Sequence, residues 1–310
     1  FPYTTLFRSG SQEEYEIAYN WLKECEASWK KEAQFLNSIE YVIVPGNHDC
    51  NFSTPSDIRD LTINAVSKQD SIDSKEFCQA CLSVQTNFWT FYGKLREENL
   101  SPRISWKHEV LLKQNLAIEF NCYNTATLSQ ISEQPGSLIL PRDHFLEEDI
   151  SHKNVVISLF HHNTGWLNPN TPSNNKKEFE EHLYATSDLV MCGHEHAKQY
   201  KRVSSLSDYQ ELTYMEHPAF QTGNDSEYGL IVFDTEEMTF LCHHFKLSNE
   251  GYYESGEPCT VSIVRKQAGI KFTRTWDEQL ESINIPLKHI HKNSLRLSDI
   301  FVFPDLDPLS

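Results

Sequence analysis

Three apolar runs in the chain each end in a short loop rich in histidine, asparagine and acidic residues. The runs at residues 41–44, 155–160 and 188–192 lead into the sequences GNHD, HHN and GHEH. Uninterrupted apolar runs with β-branched residues are typical of strands covered on both faces of a parallel sheet. Because the carboxyl ends of such strands meet at one edge, we expect the three loops to converge there. The pattern predicts an α/β fold with its functional groups at one sheet edge.

The loops carry side chains of the kind that bind transition metals. Imidazole nitrogens and amide or carboxylate oxygens suit Zn, Mn or Fe, and His194 and His196, in a turn after Gly193, can face neighbouring metal positions. Each loop alone has an ordinary explanation. GNHD can be a simple turn, and His161 with His162 can be satisfied polar residues at a strand end. Together, in this order and each after a predicted strand, the loops predict a metal site.

Other patterns predict the surrounding elements. Ser11 and Glu14 have the spacing of a capping box, followed by apolar residues at steps of three and four, which predicts a helix from Gln12. A second helical stripe covers residues 74–98, and shorter alternating runs predict further strands. These additional strands are expected at residues 116–120, 228–233 and 238–245.

Composition limits the class of protein. The chain of 310 residues is 39% hydrophobic, enough for a full core. Its formal charge of −17 argues against binding a nucleic-acid backbone, which needs clustered Lys and Arg. No apolar run of about 18 residues appears. We therefore expect a cytoplasmic protein that does not span a membrane.

The sequences VPGNHDC, LFHHNTGW and MCGHEH resemble the later motifs of the calcineurin-like metallophosphoesterase family, over about residues 10–245. The resemblance implies a two-sheet α/β sandwich flanked by helices. It also implies hydrolysis of a small phosphomonoester or phosphodiester through a bridging hydroxide, at a site with two divalent ions of Mn, Fe or Zn.

The resemblance also assigns roles to individual residues. One metal would be bound by Asn47, His161 and His194, and the other by His196 together with residues of earlier motifs. His48 would serve the leaving group, with Asp49 orienting its imidazole. His162 and Trp166 are the candidates for lining the substrate pocket.

The ends of the chain lead to further expectations. The family's Asp-x-His and Gly-Asp motifs do not occur in the sequence, and residues 1–9 resemble a translated sequencing adapter. We expect a natural protein that extends upstream, a fragment lacking its first strands, and little activity from the fragment itself. Residues 10–250 are predicted to form the phosphoesterase domain. Residues 251–310 are a predicted extension or linker, which weakly resembles segments preceding an NTPase module in large bacterial proteins.

The sequence has two alternative functional interpretations. The fold could serve as a non-catalytic nucleotide-sensing or scaffold domain of a larger NTPase-containing protein, although a retained His48 favours an enzyme. A structural zinc module is disfavoured, because its ligands lie closer together in sequence than His48, His161 and His194 do.

Overall fold

A computed structural model of the protein describes residues 10–32, 39–53, 57–69, 75–112, 116–147, 155–170, 175–196, 199–204, 211–220 and 226–262. The chain divides into two compact units, residues 1–265 and 266–310. The second unit and the predicted adapter segment lie outside the described residues. The predicted domain boundary at residue 250 stays a prediction.

The described residues form five α-helices and ten strands. The helices are α1 (Gln12–Glu32), α2 (Asp57–Gln69), α3 (Lys75–Leu82), α4 (Thr86–Arg96) and α5 (Asn175–Thr186). The strands are β1 (Ser105–Leu111), β2 (Ala117–Tyr123), β3 (Val155–His162), β4 (Leu189–Gly193), β5 (Gln199–Ser204), β6 (Glu211–Glu216), β7 (Glu227–Asp234), β8 (Thr239–Leu247), β9 (Tyr253–Ser255) and β10 (Cys259–Ser262). None of the described helices has the length and apolar character needed to cross a membrane.

The larger sheet has the strand order β1-β2-β3-β4-β6-β5. Its inner strands β2, β3, β4 and β6 run parallel, while β1 and β5 pair antiparallel at the two edges. The register pairs His162 with Gly193, and Cys192 with Glu216. The ends of β3, β4 and β6 therefore lie side by side, and the loops after β3 and β4 meet at one edge as the sequence predicts.

Two layers pack on the larger sheet. Helix α5 places Phe179 and Leu183 in one apolar cluster with Phe160 of β3 and Leu212 of β6. The second sheet has the order β10-β8-β7, with β9 beside β8. The two sheets share a second apolar cluster, formed by Val155, Ile157, Leu189, Met215, Phe240, Cys242 and Val261. The predicted two-sheet α/β sandwich with flanking helices is confirmed.

Helix α1 begins where the sequence predicts and carries the expected capping box. The Ser11 N–H donates to Glu14 Oε2 at 3.1 Å, and the Glu14 N–H donates to Ser11 Oγ at 3.3 Å. Later in the helix, Lys23 and Lys30 donate to Glu26 at 2.8 Å and 2.6 Å. These bonds hold the pKa of Glu26 down to about 2. Side-chain contacts therefore fix both the first turn and the middle of α1.

The single helix predicted over residues 74–98 is interrupted by a short 3-10 turn between α3 and α4. The Val84 carbonyl accepts from the Asn51 N–H at 2.7 Å. The buried Gln85 side chain exchanges hydrogen bonds with Asn124 at 2.6 Å and 3.2 Å. These bonds hold the turn against other segments, so its backbone does not continue the helix. The spacing of apolar residues in the sequence carries no information about such contacts.

The apolar run at residues 41–44 packs against the core but does not form a strand within the described residues. It contacts a cluster that contains Phe88, Tyr92 and Trp106. The prediction of a strand here is wrong. Apolar side chains explain why the segment is packed against the core, but a strand also needs hydrogen bonds to a neighbouring backbone. The run nevertheless leads directly into the turn that carries Asn47.

Candidate metal centre

The turn at Asn47–Asp49 is held by its own carboxylate. Asp49 Oδ2 accepts from the Gly46 N–H at 2.7 Å, and Asp49 Oδ1 accepts from the Tyr15 hydroxyl at 2.6 Å. Burial raises the pKa of Asp49, and these two hydrogen bonds oppose the rise. The carboxylate therefore links the turn to α1 and restrains the backbone that presents Asn47 and His48.

His161 lies at the centre of the candidate site. Its Nε2 is 3.1 Å from Asn47 Oδ1 and 3.1 Å from His194 Nδ1. Burial first, and then the neighbouring imidazoles, lower the pKa of His161 well below its usual value. Burial therefore favours the neutral ring, which is the form that binds metal ions. Residues separated by 114 and 33 positions in sequence thus place three ligand-type atoms together.

Gly46 allows the His161 ring to lie directly against the backbone. A Cβ atom at Gly46 would stand 2.8 Å from three atoms of the imidazole, closer than real Cβ contacts. A Cβ atom at Gly193 would meet the same ring at 4.0 Å, an ordinary contact distance. The position of His161 therefore depends on glycine at residue 46 and not on glycine at residue 193.

Three rings surround the His194 imidazole. Ring centroids lie 4.3 Å away for Trp166, 4.4 Å for His162 and 5.0 Å for His161. Burial, followed by the charge of His162, lowers the pKa of His194 to about 4. His194 and His196 have φ values of 77° and 53°. This left-handed backbone is unusual for residues with a side chain and persists where the surroundings enforce it.

His162 is fully buried, and both of its ring nitrogens face protein groups. Its Nδ1 is 3.2 Å from Thr125 Oγ1, and its Nε2 is 3.4 Å from Glu133 Oε2. The predicted contact between His162 and substrate stays a prediction. The buried position favours a supporting role for this ring.

The other predicted site residues lie around the same cluster. Trp166 is half-buried, and its Nε1 donates to Glu195 Oε1 at 2.7 Å. His48 and His196 are exposed. The charges of both are among the smaller causes that lower the pKa of His161. His48 and His196 are thus near His161 while remaining open to solvent.

Sequence reasoning did not predict the contacts that the site residues make with Tyr15, Thr125, Glu133 and Glu195. A tyrosine on the apolar stripe of α1 and a threonine just after β2 are weak signals of such contacts. Glu133 lies in a loop with no recognisable motif. Its contact with His162 at the end of β3 is revealed only by the tertiary structure.

The donor set fits a divalent metal ion. Two nitrogens bound to one ion at about 2.0–2.1 Å stand roughly 3 Å apart. The 3.1 Å between His161 Nε2 and His194 Nδ1 meets that requirement. In the part of the chain that the structure describes, ligand atoms of His161, His162 and His194 all lie within 4.8 Å of one another. Because both nitrogens of His162 face other groups, the candidate ligands are Asn47, His161 and His194.

A cavity of about 350 Å³ opens beside the loop that follows β3. Its lining includes Asn163, Thr164, Lys201, Tyr214 and Glu216. None of the candidate ligands Asn47, His161 and His194 lines this cavity.

Comparisons with known proteins identify a family. The family model described as calcineurin-like phosphoesterase matches residues 9–198, more than half of the chain. No curated protein sequence matches the chain.

Solved structures show weaker similarity. One is a putative 5'-nucleotidase from Staphylococcus aureus in complex with alpha-ketoglutarate, with 9% identity and a TM-score of 0.22, covering 60% of this chain and 35% of that chain. This protein therefore spans about a third of the nucleotidase's length. Another is Vps29 from Chaetomium thermophilum, with 9% identity and a TM-score of 0.24, covering 71% of this chain and 95% of that one.

Proposed function

The chain belongs to the calcineurin-like phosphoesterase family, and from this membership we propose that it hydrolyses a phosphomonoester or phosphodiester at a site with two divalent metal ions. The observation that supports the proposal is the convergence of Asn47 and His194 on His161 Nε2, each at 3.1 Å. All three residues lie within the segment that matches the family.

The chain's residues divide into those that hold metal and those that act on the ester. Asn47, His161 and His194 would hold one ion, and His196 would contribute to the second. When bound, divalent ions polarise the phosphoryl group and supply a nucleophile at neutral pH. The nitrogen and oxygen donors suit Mn, Fe or Zn. The protein keeps His161 neutral by burial and holds the His194 ring among its aromatic neighbours.

His48 is the candidate general acid. It is exposed and directly follows the candidate ligand Asn47, so its imidazole can face a bound ester while Asn47 faces the metal. A protonated His48 would give its proton to the departing alkoxide, a contribution on the order of 10²- to 10⁴-fold. Asp49 supports this role by holding the turn through Gly46 and Tyr15.

The test uses the full-length product of the gene that encodes this chain. Hydrolysis of p-nitrophenyl phosphate and bis-p-nitrophenyl phosphate is measured with Mn²⁺, and bound metal is counted by mass spectrometry. His48→Ala is expected to lower turnover by roughly 10²- to 10⁴-fold while keeping its metal. His194→Ala is expected to lose metal and turnover together. His243→Ala, in β8 of the second sheet, is the matched control and should change neither quantity.

Two outcomes would overturn the proposal. Equal loss of metal in His48→Ala and His194→Ala would refute the division of roles. No turnover of either ester by a protein that binds two metal ions would refute hydrolysis and favour a binding function.

A further inference from the structure

A buried pair of side chains, Glu133 and His162, lies behind the candidate ligands. The His162 side chain is fully buried, and the Glu133 side chain is only 6% exposed. The His162 ring contacts the rings of both candidate ligands, with centroids 4.7 Å from His161 and 4.4 Å from His194. Any rotation of His162 would therefore move into space that these two rings occupy.

The groups that face the two ring nitrogens of His162 indicate its tautomer. Thr125 Oγ1 accepts from the His162 backbone N–H at 3.0 Å, so its own hydroxyl proton is available for His162 Nδ1 at 3.2 Å. Because an ionised Glu133 can only accept, the proton of a neutral His162 ring belongs on Nε2, and Nδ1 then accepts from the Thr125 hydroxyl. The Nε2 atom faces Glu133 Oε2 at 3.4 Å. The contact falls outside regular hydrogen-bond geometry, so each atom faces the other with no hydrogen-bond partner among the described residues.

The surroundings of Glu133 indicate that the contact is specific. Burial alone would raise the pKa of Glu133, yet the nearby His162 ring and the other polar groups around the carboxylate hold that pKa below the usual value. Glu133 Oε1 also accepts from the Gln130 N–H at 3.2 Å, which fixes the carboxylate. A buried carboxylate is unfavourable without such partners, and apolar side chains of similar volume fill a core equally well. The pair therefore determines ring orientation in a way that apolar packing does not.

We propose that Glu133 is a positioning residue, which acts through His162 to hold the His161 and His194 imidazoles in their metal-binding orientation. The inference rests on the proposed metal site but not on hydrolysis. Carboxylates bonded directly to ligating histidines influence metal affinity; Glu133 would act one residue further from the metal, through His162.

The experiment compares two substitutions of one residue. Glu133→Leu removes the acceptor, whereas Glu133→Gln keeps an oxygen that can accept from His162 Nε2–H. Affinity for Zn²⁺ alone is measured by titration calorimetry with a competing chelator. We expect Glu133→Leu to weaken Zn²⁺ binding by roughly 10- to 100-fold, and Glu133→Gln to bind like the unsubstituted protein. Gln134→Leu, at the adjacent exposed residue, is the matched control.

A second readout does not require metal. Nitrogen-15 NMR of the histidine rings in metal-free protein should show His162 protonated on Nε2, both in the unsubstituted protein and in Glu133→Gln. Glu133→Leu should shift the ring signals of His162 and His194 while thermal unfolding stays cooperative.

Unchanged Zn²⁺ affinity in Glu133→Leu, or a His162 protonated on Nδ1, would overturn the positioning role. Those results would not bear on the proposed ester hydrolysis. Conversely, if the Zn²⁺ affinities of the variants are as expected but no ester is hydrolysed, only the proposed reaction is refuted.

Discussion

Replacing Gly46 by alanine tests how the candidate metal centre is built. The added methyl group would stand 2.8 Å from three atoms of the His161 imidazole, so either the ring or the turn must move. Forcing an extra methyl into a packed site costs about 1–3 kcal/mol. In the metal-bound protein the ring must stay beside Asn47 and His194, so the overlap cannot be relieved there. The free energy of metal binding then becomes less favourable by the same amount. Affinity should then fall by roughly 5- to 150-fold, since 1.4 kcal/mol corresponds to about tenfold.

The assay is a Zn²⁺ titration of Gly46→Ala beside Gly193→Ala. The control places its methyl 4.0 Å from the same imidazole and should bind Zn²⁺ like the unsubstituted protein. Circular dichroism confirms that both variants are folded before affinities are compared. Equal affinities for Gly46→Ala and Gly193→Ala would refute the reasoning, because the close approach of His161 to the backbone would then be irrelevant to metal binding.

Three further substitutions test contacts made by α1. Tyr15→Phe removes a donor to the buried carboxylate of Asp49, so the free energy of unfolding in urea should fall by about 1.5–3 kcal/mol; an unchanged urea midpoint would contradict the bond. Ser11→Ala removes the acceptor for the Glu14 N–H and should cost about 0.5–2 kcal/mol, seen as a lower melting temperature, whereas Ser11→Asp should melt like the unsubstituted protein. Glu26 has a folded pKa of about 2, below its usual 4.5. Its contribution to stability is therefore complete above about pH 4.5 and is lost as the pH falls towards 2. The stability difference between Glu26→Gln and the unsubstituted protein should shrink over that range, and a constant difference in urea unfolding would argue against the lysine contacts.

Much of the candidate site could be predicted from local sequence patterns. The runs at residues 155–160 and 188–192 have the apolar character of strands covered on both faces, and each precedes a histidine loop. Since parallel strands end at a common edge, the approach of His161 to His194 followed from the pattern alone. The capping box of α1 followed in the same way, because its two partners lie three residues apart.

Contacts between distant segments were not predictable in this way. The pairing of Glu133 with His162, the bond from Tyr15 to Asp49 and the fit of Gly46 against His161 each join separate elements. The strand predicted at residues 41–44 failed for a related reason, because an apolar run does not reveal whether a partner strand lies beside it.

The sequence by itself determined the residue types at the site, their order along the chain and the strands that bring two of the three loops to one edge. Periodicity and capping patterns report on neighbours within a few positions of each other, and they are readable because their spacing is set by the helix and strand repeat. Only the tertiary structure decided which loop lies behind His162 and which side chain holds the turn at Asp49. Those choices depend on sheet order and on the packing of α1 and of the loop carrying Glu133, where the partners are 29 and 34 residues apart in the chain.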